Sequence, residues 1–451
     1  MTQTISMPEE LRRLARLFPT DRPLYIVGGY VRQALLGQDP PQSDVDLASA
    51  CTPQEVQELL YGSAFAVTPA SLRLGTLILK GARSYEYTAF RTDSYRGCGG
   101  RHTPKQVTFT RSLEQDALRR DFRCNAIYYD INANRIVDPL DGRTDIACRR
   151  LTCVDDPARV LSEDGLRLLR LIRFVSVLGF EPDADTLAQA KQQAWRLQDI
   201  TPERIAGELN GILGGEHVLA ALRLMRDCGI LRQILPELAQ GDGMAQNPVY
   251  HCYDVLEHTL HAVAYAPRSI RLAALLHDVG KPACMERDGN YYRHDVVGAQ
   301  MTREILTRLK YPNKVIDRTA RLVGAHMMAI RSDIRESKLR LFVARNADIL
   351  DDLAELMHAD ARATGKGTHS AFAERMLDTY AQMRREGVPM RVQDMAIGGQ
   401  DLLAMGASGK QIGMILQELW LQCLQSGSDH SRKRLEELAH RRVERYKEKR
   451  Q

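Results

Sequence analysis

The chain has 451 residues, which exceeds the size of one ordinary hydrophobic core, so we expect two to four domains. Hydrophobic residues make up 44% of the chain and charged residues 26%, and no apolar run approaches the roughly 20 residues of a membrane helix, which argues against a membrane protein. A net charge of +5 is too small to indicate a nucleic-acid-binding protein by itself.

The amino-terminal segment and the cysteines both favour the cytoplasm. Residues 1–18 form a short amphipathic stretch that contains acids, unlike the basic and then apolar pattern of an export signal. The nine cysteines include no C-x-x-C pair, which favours reduced thiols over a disulfide framework or a zinc ribbon. We therefore expect a cytoplasmic protein.

Residues 1–150 mix predicted strands with predicted helices. Helices are predicted at residues 31–37 and 52–60, with Thr52 as the amino-terminal cap of the second. A glycine-rich loop covers residues 94–103. Strands are predicted at residues 23–29, 44–48, 75–81, 85–90 and 106–110. We expect an α+β head with a mixed sheet.

Strand patterns nearly vanish from about residue 155 onward, which predicts an all-α body. Helical periodicity is clear at residues 164–180, 203–213 and 217–231. The Gly- and Pro-containing stretch 241–248 is the best candidate for a linker. We predict four domains, in which the head is followed by a helical neck, a histidine-rich domain and a helical tail: 1–150, 151–240, 241–369 and 370–451.

Gly28 and Gly29 lie between the first predicted strand and the first predicted helix. Glycines without a Cβ let backbone N–H groups approach a phosphate, and Arg32 adds a cation one turn into the helix. A glycine pair in such a turn is structural more often than not, so a phosphate site and a simple turn both remain open on these residues alone.

Asp44 and Asp46 occupy alternate positions of a predicted strand, so both carboxylates would project from the same face. Two like charges this close repel each other unless a cation lies between them. Mg²⁺ binds a few carboxylates together with phosphate oxygens, which suits a nucleotide substrate. Glu86, in a later predicted strand, is a third candidate ligand, and an ordinary glutamate on a strand face is the equal alternative.

Several segments together resemble the CCA-adding tRNA nucleotidyltransferase and bacterial poly(A) polymerase family. In the head these are GGYVRQALLG, DVDLA, YEYTAFR and RRDFRCNAIYYD. The resemblance continues in DPARVLSEDGLRLLRLIRFVSVLGF, ERIAGELNGIL and DMAIGGQDLLAMG, and so covers nearly the whole chain. Gln33 departs from the acid that the family usually has after the arginine of the glycine motif. We interpret this departure as the loss of a supporting charge and not of a catalytic group.

The resemblance implies template-independent addition of C, C and A to the 3′ end of tRNA from CTP and ATP, with release of pyrophosphate. It implies that Asp44 and Asp46, with Glu86, hold two Mg²⁺ ions between the RNA 3′-hydroxyl and the leaving pyrophosphate. The loop at residues 92–106 is full length, which favours complete CCA addition over CC addition alone. The alternatives are a poly(A) polymerase, and a hydrolase or RNA-binding protein with an inactive head.

The segment RRDFRCNA resembles the family's nucleotide-contacting motif, and its implied nucleotide ligands are Arg119, Arg120, Asp121 and Asn125. The two arginines are the best candidates for binding the triphosphate, because guanidinium groups bind phosphate oxygens bidentately.

Glu163, Asp164 and Arg167 resemble the family's nucleotide-selection motif. Cytosine and adenine present an amino donor beside a ring-nitrogen acceptor, which a carboxylate and a guanidinium complement, whereas uracil and guanine present the reverse. Arg170 shares the Arg167 side of the predicted helix. In the alternative interpretation, Ser162 caps this helix and the two acids only stabilise its first turn. The apolar residues predicted for the buried side of the helix are Leu166, Leu169, Ile172 and Val177.

Seven of the twelve histidines fall between residues 251 and 358. A lone histidine is usually a core or surface residue, but a set of histidines and carboxylates on neighbouring helices is typical of a metal site. The segment resembles the HD phosphohydrolase superfamily, with His258, His277, Asp278 and Asp360 in its ligand order. Two further histidines that match extra ones in some members are His294 and His326.

The resemblance to the HD superfamily implies one or two divalent metals, whose identity the sequence leaves open. It also implies phosphatase or cyclic phosphodiesterase activity on RNA ends or nucleotides. The basic tail at residues 432–450 is expected to bind the phosphate backbone of tRNA without reading its sequence.

Overall fold

The computed structural model describes residues 5–39, 45–95, 104–330, 334–425 and 427–448. The chain divides into two compact units, Met1–Ala239 and Gln240–Gln451. Among the described residues, no helix is both long enough and apolar enough to cross a membrane.

The first unit contains a mixed sheet, as the sequence predicts. Its order is β3-β4-β5-β2-β1-β8-β9, and β2 pairs with β5 in parallel while the other neighbours are antiparallel. A separate hairpin joins β6 to β7, and a short parallel pair joins β10 to β11. The strands are β1 (Tyr25–Val27), β2 (Asp46–Ser49), β3 (Ala66–Ser71), β4 (Thr76–Lys80), β5 (Ser84–Ala89), β6 (Arg91–Ser94), β7 (Gln106–Phe109), β8 (Tyr128–Asp130), β9 (Arg135–Val137), β10 (Arg150–Leu151) and β11 (Glu181–Pro182).

One helix of the first unit, α3 (Pro53–Leu59), begins with a reciprocal cap. The Thr52 hydroxyl accepts from the Glu55 N–H at the start of α3, and the Glu55 carboxylate accepts from the Thr52 N–H in return. The helices of the first unit are α1 (Glu9–Ala15), α2 (Gly29–Leu35), α3 (Pro53–Leu59), α4 (Leu113–Leu118), α5 (Gly142–Ala147), α6 (Pro157–Glu163), α7 (Leu166–Leu178), α8 (Ala184–Gln193), α9 (Pro202–Leu213), α10 (Val218–Asp227), α11 (Ile230–Ile234) and α12 (Pro236–Ala239).

Two details of α7 and α10 differ from the sequence expectations. Val177 was expected on the buried side of α7 but is 45% exposed, and Val175 is buried in that part of the helix instead. The periodic segment at residues 217–231 is not one helix, because Gly229 has a φ of 72° and separates α10 from α11.

The described residues of the second unit form helices, turns and loops but no strand. Asp254 caps α13 by accepting from the Glu257 N–H at 2.7 Å, and α13, α14, α17 and α19 pack against one another around the unit's buried histidines. The helices are α13 (Val255–Tyr265), α14 (Arg271–Leu276), α15 (Lys281–Asp288), α16 (His294–Arg308), α17 (Asn313–Ala325), α18 (Glu336–Arg345), α19 (Leu350–Ala363), α20 (Ala371–Arg385), α21 (Gly399–Ala404), α22 (Lys410–Cys423) and α23 (Arg432–Glu448).

Candidate functional site

Asp46 and Glu86 are direct partners in the parallel register between β2 and β5. Residues that face each other across parallel strands project from the same side of the sheet, and both of these carboxylates are exposed. The next pair in the register, Leu47 and Tyr87, is buried on the opposite face. The structure therefore brings together two of the three carboxylates predicted from the sequence, and the third, Asp44, lies outside the described residues.

The Gly28 turn lies directly beside Asp46. Val27 pairs with Asp46 across β1 and β2, so the turn begins next to the carboxylate. Gly28 has a φ of 79°, a backbone angle that residues with a Cβ rarely adopt. A Cβ added there would lie 3.5 Å from Asp46 Oδ2. The turn therefore lies within van der Waals distance of the Asp46 carboxylate, and its positive φ favours glycine at residue 28.

A cavity of about 690 Å³ adjoins the glycine turn and collects most of the candidate residues of the head. Glu86 and Glu163 are not among the described residues that line it. The sequence-predicted residues in its wall are Gly28, Gly29, Arg32, Asp46, Arg119, Arg120, Asp121, Asn125, Asp164, Arg167 and Arg170.

Arg119 and Arg120 are held by one buried carboxylate, that of Asp116. Arg119 Nη2 lies 2.7 Å from Asp116 Oδ1, and Arg120 Nη2 lies 3.1 Å from Asp116 Oδ2. The Tyr128 hydroxyl also donates to Asp116 at 2.6 Å. Burial by itself would raise the Asp116 pKa, but Arg119 and Arg120 hold that pKa below its ordinary value. Sequence reasoning missed Asp116, although it precedes the two arginines by three and four residues in the helix repeat.

Asp121 holds three other cavity residues in place. Its carboxylate lies 2.5 Å from Arg170 Nη2 and accepts from Asn125 Nδ2 at 3.0 Å. Arg32 in turn donates to Asn125 Oδ1. Burial opposes ionisation of Asp121, but the Arg170 guanidinium holds the Asp121 pKa well below its ordinary value. The carboxylate is thus an anchor for two cations and an amide at the cavity wall.

Asp164 lies at the junction between α6 and α7. Its Oδ1 accepts from the Leu166 N–H at 2.9 Å, and its Oδ2 lies 3.4 Å from Arg204 Nη2. The alternative in which Ser162 caps the helix is wrong, because Ser162 lies inside α6 and donates to the Arg159 carbonyl. Sequence reasoning also missed Arg204, which lies on α9 and reaches Asp164 through the fold alone.

Arg167 is only 6% exposed and is fixed by its surroundings. Its Nη1 donates to the Val160 carbonyl at 2.7 Å, and its Nη2 donates to the Arg119 carbonyl at 2.7 Å. Glu163 accepts from Arg167 at 3.1 Å and also pairs with Arg159. Glu163 is therefore placed to orient Arg167 from outside the cavity.

Three arginines surround the ring of Phe174 at the same cavity. The guanidinium carbons of Arg32, Arg170 and Arg173 lie 5.2, 5.4 and 5.2 Å from the ring centroid. Arg173 pairs with Glu208 at 3.0 Å. The wall of the cavity carries more cations than paired acids, which suits an anionic ligand.

The second unit gathers the histidines and aspartates that the sequence singles out. His258 Nε2 lies 2.9 Å from Asp360 Oδ1, and His277 Nε2 lies 3.3 Å from Asp278 Oδ2. On the other side of the same aspartate, His294 Nε2 lies 3.2 Å and His326 Nε2 lies 3.9 Å from Asp278 Oδ1. All four predicted ligands and both additional histidines thus converge.

The ring orientations in this cluster fit metal ligation. His277, His294 and His326 each direct Nδ1 at a backbone carbonyl, at 2.7, 2.7 and 2.6 Å, which leaves Nε2 facing the cluster. The buried Nε2 atom of His326 has no hydrogen-bond partner among the described residues, and that of His294 lies 3.2 Å from Asp278 Oδ1. Ring nitrogens that converge on one buried carboxylate are the arrangement expected where a divalent ion binds.

Two overlapping groups of ligand atoms meet at Asp278. In each group the ligand atoms lie within 4.8 Å of one another, and Asp278 belongs to both. Lys281 Nζ also lies 2.6 Å from Asp278 Oδ2. Burial would raise the Asp278 pKa, but His277 and Lys281 hold it well below its ordinary value, so this carboxylate is ionised. The two groups are His258, His277 and Asp278, and Asp278, His294 and His326.

Family models match three parts of the chain. The poly(A) polymerase head domain matches residues 24–152, a probable RNA- and SrmB-binding site of polymerase A matches residues 179–241, and the HD domain matches residues 249–353. These matches define a protein that has a nucleotidyltransferase head followed by an HD domain. Both domains imply the use of divalent metals.

Proteins of similar sequence identify the family within this class. An A-adding tRNA nucleotidyltransferase from Deinococcus radiodurans is 34% identical over 73% of this chain and 81% of its own length. A CC-adding tRNA nucleotidyltransferase from Thermus thermophilus is 33% identical over 89% and 90% of the two chains. The chain belongs to the tRNA nucleotidyltransferase family, and the resemblance seen in the sequence is confirmed.

A solved structure agrees with the fold over nearly the full length. The CCA-adding enzyme of Bacillus stearothermophilus, in complex with CTP, superposes with a TM-score of 0.69 at 26% identity and covers 98% of each chain. A CCA-adding enzyme from Geobacillus stearothermophilus is also 33% identical over 67% of this chain and 66% of its own. Similar proteins therefore include A-adding, CC-adding and CCA-adding enzymes.

Proposed function

We propose that the first unit adds C, C and A stepwise to the 3′ end of tRNA, using CTP and ATP and releasing pyrophosphate. The observation that carries this proposal is the in-register pairing of Asp46 with Glu86 beside the Gly28 turn. The adjoining cationic cavity suits the triphosphate of an incoming nucleotide. The A-adding, CC-adding and CCA-adding activities named for relatives support the choice of tRNA as acceptor.

Asp46 and Glu86, with Asp44 two residues before Asp46, are our candidates for holding Mg²⁺ in the head. The exposed carboxylates on neighbouring strands have the chemistry that Mg²⁺ prefers. When bound, Mg²⁺ supplies positive charge for the triphosphate and activates the RNA 3′-hydroxyl. We assign triphosphate binding to Arg119 and Arg120, whose guanidinium groups Asp116 orients before any nucleotide arrives.

Asp164 and Arg167 are our candidates for reading the incoming base. Arg167 uses three of its N–H donors on two carbonyls and Glu163, so it retains N–H donors for a ring nitrogen. The Asp164 carboxylate accepts an amino proton of cytosine or adenine. A carbonyl of uracil or guanine in that position would face the carboxylate with no proton between them, and each lost pairing costs about 1–3 kcal/mol.

Assays on a series of tRNA acceptors determine how many nucleotides the protein adds. Purified protein is incubated with tRNAs that end before the first C, after the first C and after the second C, each with CTP, ATP or both. Complete CCA addition predicts extension of all three acceptors and a stop after A. Extension of only the C-C acceptor would identify an A-adding enzyme, a stop after C-C a CC-adding enzyme, and long A tails on unrelated RNA a poly(A) polymerase.

We propose a phosphohydrolase activity for the second unit as a separate function. The observation that favours it is the convergence of His294 Nε2 and His326 Nε2 on Asp278 Oδ1, at 3.2 and 3.9 Å. A bound divalent metal would supply an activated water and polarise a phosphoryl oxygen. Release of inorganic phosphate from nucleoside 3′-phosphates, and opening of 2′,3′-cyclic phosphates, test this function in a variant whose head is inactive.

We further propose the division 1–150, 151–240, 241–369 and 370–451 for the head, neck, HD domain and tail. In the tail, Lys433, Arg441 and Arg445 are exposed on α23 while Leu435 and Val443 are buried, so this face is our candidate for binding tRNA phosphates. The described cysteines are all unpaired, which supports a cytoplasmic location.

A further inference from the structure

A cavity of about 1120 Å³ opens beside the histidine and aspartate cluster of the second unit. Asp278, His294, His326 and Asp360 form part of its wall. Cavities that bind whole small molecules span about 300 to 1,000 Å³, so a phosphate group alone would leave most of this space empty. The other residues of the cavity wall therefore indicate which chemical group is attached to the phosphate of the ligand.

Two exposed tyrosines line this cavity. Tyr250 is 65% exposed and Tyr292 is 70% exposed, although other residues of the same cavity are buried. Neither ring makes a hydrogen bond or a ring contact with another residue that the structure describes. Large exposed aromatic rings beside a polar cluster offer a flat surface on which another ring can stack.

Both tyrosines are held by local backbone geometry. The Tyr250 N–H donates to the Asn247 carbonyl at 3.0 Å, and the Tyr292 N–H donates to the Asn290 side-chain oxygen at 2.8 Å. These bonds fix the backbone at each tyrosine while the ring stays exposed. Ordering these loops on binding would therefore cost little conformational entropy.

The two loops are also joined to each other. The Tyr291 hydroxyl donates to the Ala245 carbonyl at 2.8 Å, which ties the loop that carries Tyr292 to the segment before Tyr250. On the Tyr250 side, Lys366 Nζ donates to the Val249 carbonyl at 3.2 Å. Because the loops are tied together, the two tyrosines belong to one preformed wall.

Two cations complete the cavity wall. Lys281 is only 7% exposed, with its Nζ 2.6 Å from Asp278 Oδ2, whereas Arg293 is exposed near Tyr292. Arg293 has a φ of 63°, a conformation that is uncommon for a residue with a side chain and is often found at functional sites. Cations and exposed aromatic rings in one cavity match a ligand that has both a phosphate and a base.

We propose that Tyr250 and Tyr292 form a base-stacking clamp that makes the HD cavity select phosphate esters carrying a nucleobase over base-free esters. The inference rests on the proposed phosphohydrolase function and names the specificity of that site. In the hydrolysis, water contributes its oxygen to phosphorus, the bond between phosphorus and the nucleoside oxygen breaks, and that oxygen takes up a proton. The ester is the end of an RNA or a free mononucleotide, which share this chemistry.

The test compares a nucleotide with a base-free ester in the full-length chain. Binding of 3′-CMP and of glycerol 2-phosphate is measured after EDTA treatment, so that hydrolysis does not interfere, and kcat/KM for both is measured with Mn²⁺. Tyr250→Ala and Tyr292→Ala should each weaken 3′-CMP binding about tenfold, because stacking on one aromatic ring contributes about that much. Tyr250→Phe and Tyr292→Phe should retain wild-type binding, since they keep the ring.

Controls separate the clamp from general damage. Tyr61→Ala removes a 91% exposed tyrosine from the first unit and should leave all values unchanged, and thermal unfolding reports whether each variant folds. Unchanged 3′-CMP binding in both alanine variants, or an equal loss for glycerol 2-phosphate, overturns the clamp. If the wild type binds 3′-CMP in a tyrosine-dependent way but hydrolyses neither ester, the phosphohydrolase proposal fails and the clamp stands.

A further comparison distinguishes an RNA end from a free mononucleotide as the source of the phosphate ester. A short RNA ending in a 3′-phosphate is tested beside 3′-CMP in the same binding assay. Tyrosine dependence for both ligands supports the clamp with either source, and dependence for the RNA alone assigns the site to RNA ends. Loss of tyrosine dependence for both contradicts the proposal.

Discussion

Arg170 holds one carboxylate oxygen of Asp121 through two nitrogens at the wall of the head cavity, with Asp121 Oδ2 2.7 Å from Arg170 Nε and 2.5 Å from Nη2. Asp121 is 6% exposed, so its carboxylate is almost fully withdrawn from water. The same carboxylate accepts from Asn125, which accepts from Arg32. One buried charge therefore orders three other residues that line the cavity.

Asp121→Asn should damage both stability and activity. The substitution removes the charge that Arg170 pairs with, and loss of a charged hydrogen bond costs roughly 1.5–3 kcal/mol of unfolding free energy. Because Arg170 and Arg32 then lose their fixed positions, kcat/KM for CTP and ATP should fall together. Urea unfolding and single-nucleotide incorporation measure the two effects. Full stability with full activity would show that the ion pair has no role in ordering the cavity.

The same ion pair predicts a pH dependence. The folded-state pKa of Asp121 lies below its unfolded value of about 3.9, so its stabilisation is present above that unfolded value and is lost as the pH falls toward the folded one. The difference in unfolding free energy between wild type and Asp121→Asn should be constant near pH 7 and shrink below about pH 4. A difference that grows in acid would contradict the assigned direction.

Gly28→Ala should abolish nucleotide incorporation. The residue has a φ of 79°, so a side chain there strains the turn, and the added Cβ would lie in van der Waals contact with Asp46, 3.5 Å from its Oδ2. The left-handed conformation alone costs about 1–2 kcal/mol. Gly37→Ala is the matched control, because Gly37 has a φ of 73° but an added Cβ would meet nothing within 4 Å. Both variants should lose similar stability, and only Gly28→Ala should lose incorporation.

The head site was partly predictable because its pieces are local patterns. Alternation in a strand placed Asp46 on an exposed face, and a threonine at the start of a helical segment predicted the cap of α3 at Thr52. The parallel pairing joins Asp46 to Glu86, which lies 40 positions later in the sequence. No local pattern encodes that register. The resemblance to a known family supplied this partner in advance.

Other elements were not predictable because their patterns are weak or misleading. β3 is an edge strand whose residues are mostly exposed and include Pro69, so it lacks the alternation that indicates a strand. Arg204 reaches Asp164 from a helix 40 residues away, which only the packing of α9 against α7 creates. Val177 was assigned to the buried side of α7 on helical spacing, but its side chain is exposed and the neighbouring Val175 is buried instead.

Asp164→Ala should weaken the discrimination of CTP from UTP. The carboxylate is our candidate acceptor for the amino group of cytosine, so its removal takes away the contact that uracil cannot make. The side chain also caps the Leu166 N–H, so the variant should lose about 1 kcal/mol of stability as well. The ratio of kcat/KM for CTP to that for UTP measures the effect on selection.

A capping aspartate elsewhere separates the two roles of Asp164. Asp183 accepts from the Asp185 and Thr186 N–H groups at the start of α8 and does not line the cavity. Asp183→Ala should therefore cost similar stability and keep the wild-type ratio of CTP to UTP. An unchanged ratio in Asp164→Ala would remove the basis for assigning base recognition to this residue.

The measured metal content should distinguish the two ligand groups of the HD cluster. Asp278 belongs to both ligand groups, whereas His326 belongs to one and His258 to the other. In a background with Asp46→Ala and Glu86→Ala, which removes the two described candidate Mg²⁺ ligands of the head, we expect two divalent ions per chain by elemental analysis. His326→Ala and His258→Ala should each lower this number by about one, because each variant removes a ligand from one group only.

The phosphohydrolase assay gives the second readout for the metal variants. Both His326→Ala and His258→Ala should lose phosphate release, while tRNA extension by the chain with an intact head should continue in each. His369→Ala is the control, because His369 lies in the same unit but belongs to neither ligand group and should retain both the metal and phosphate release. If the metal number stays at two in both ligand variants, the cluster does not hold the ions in the way that its geometry indicates.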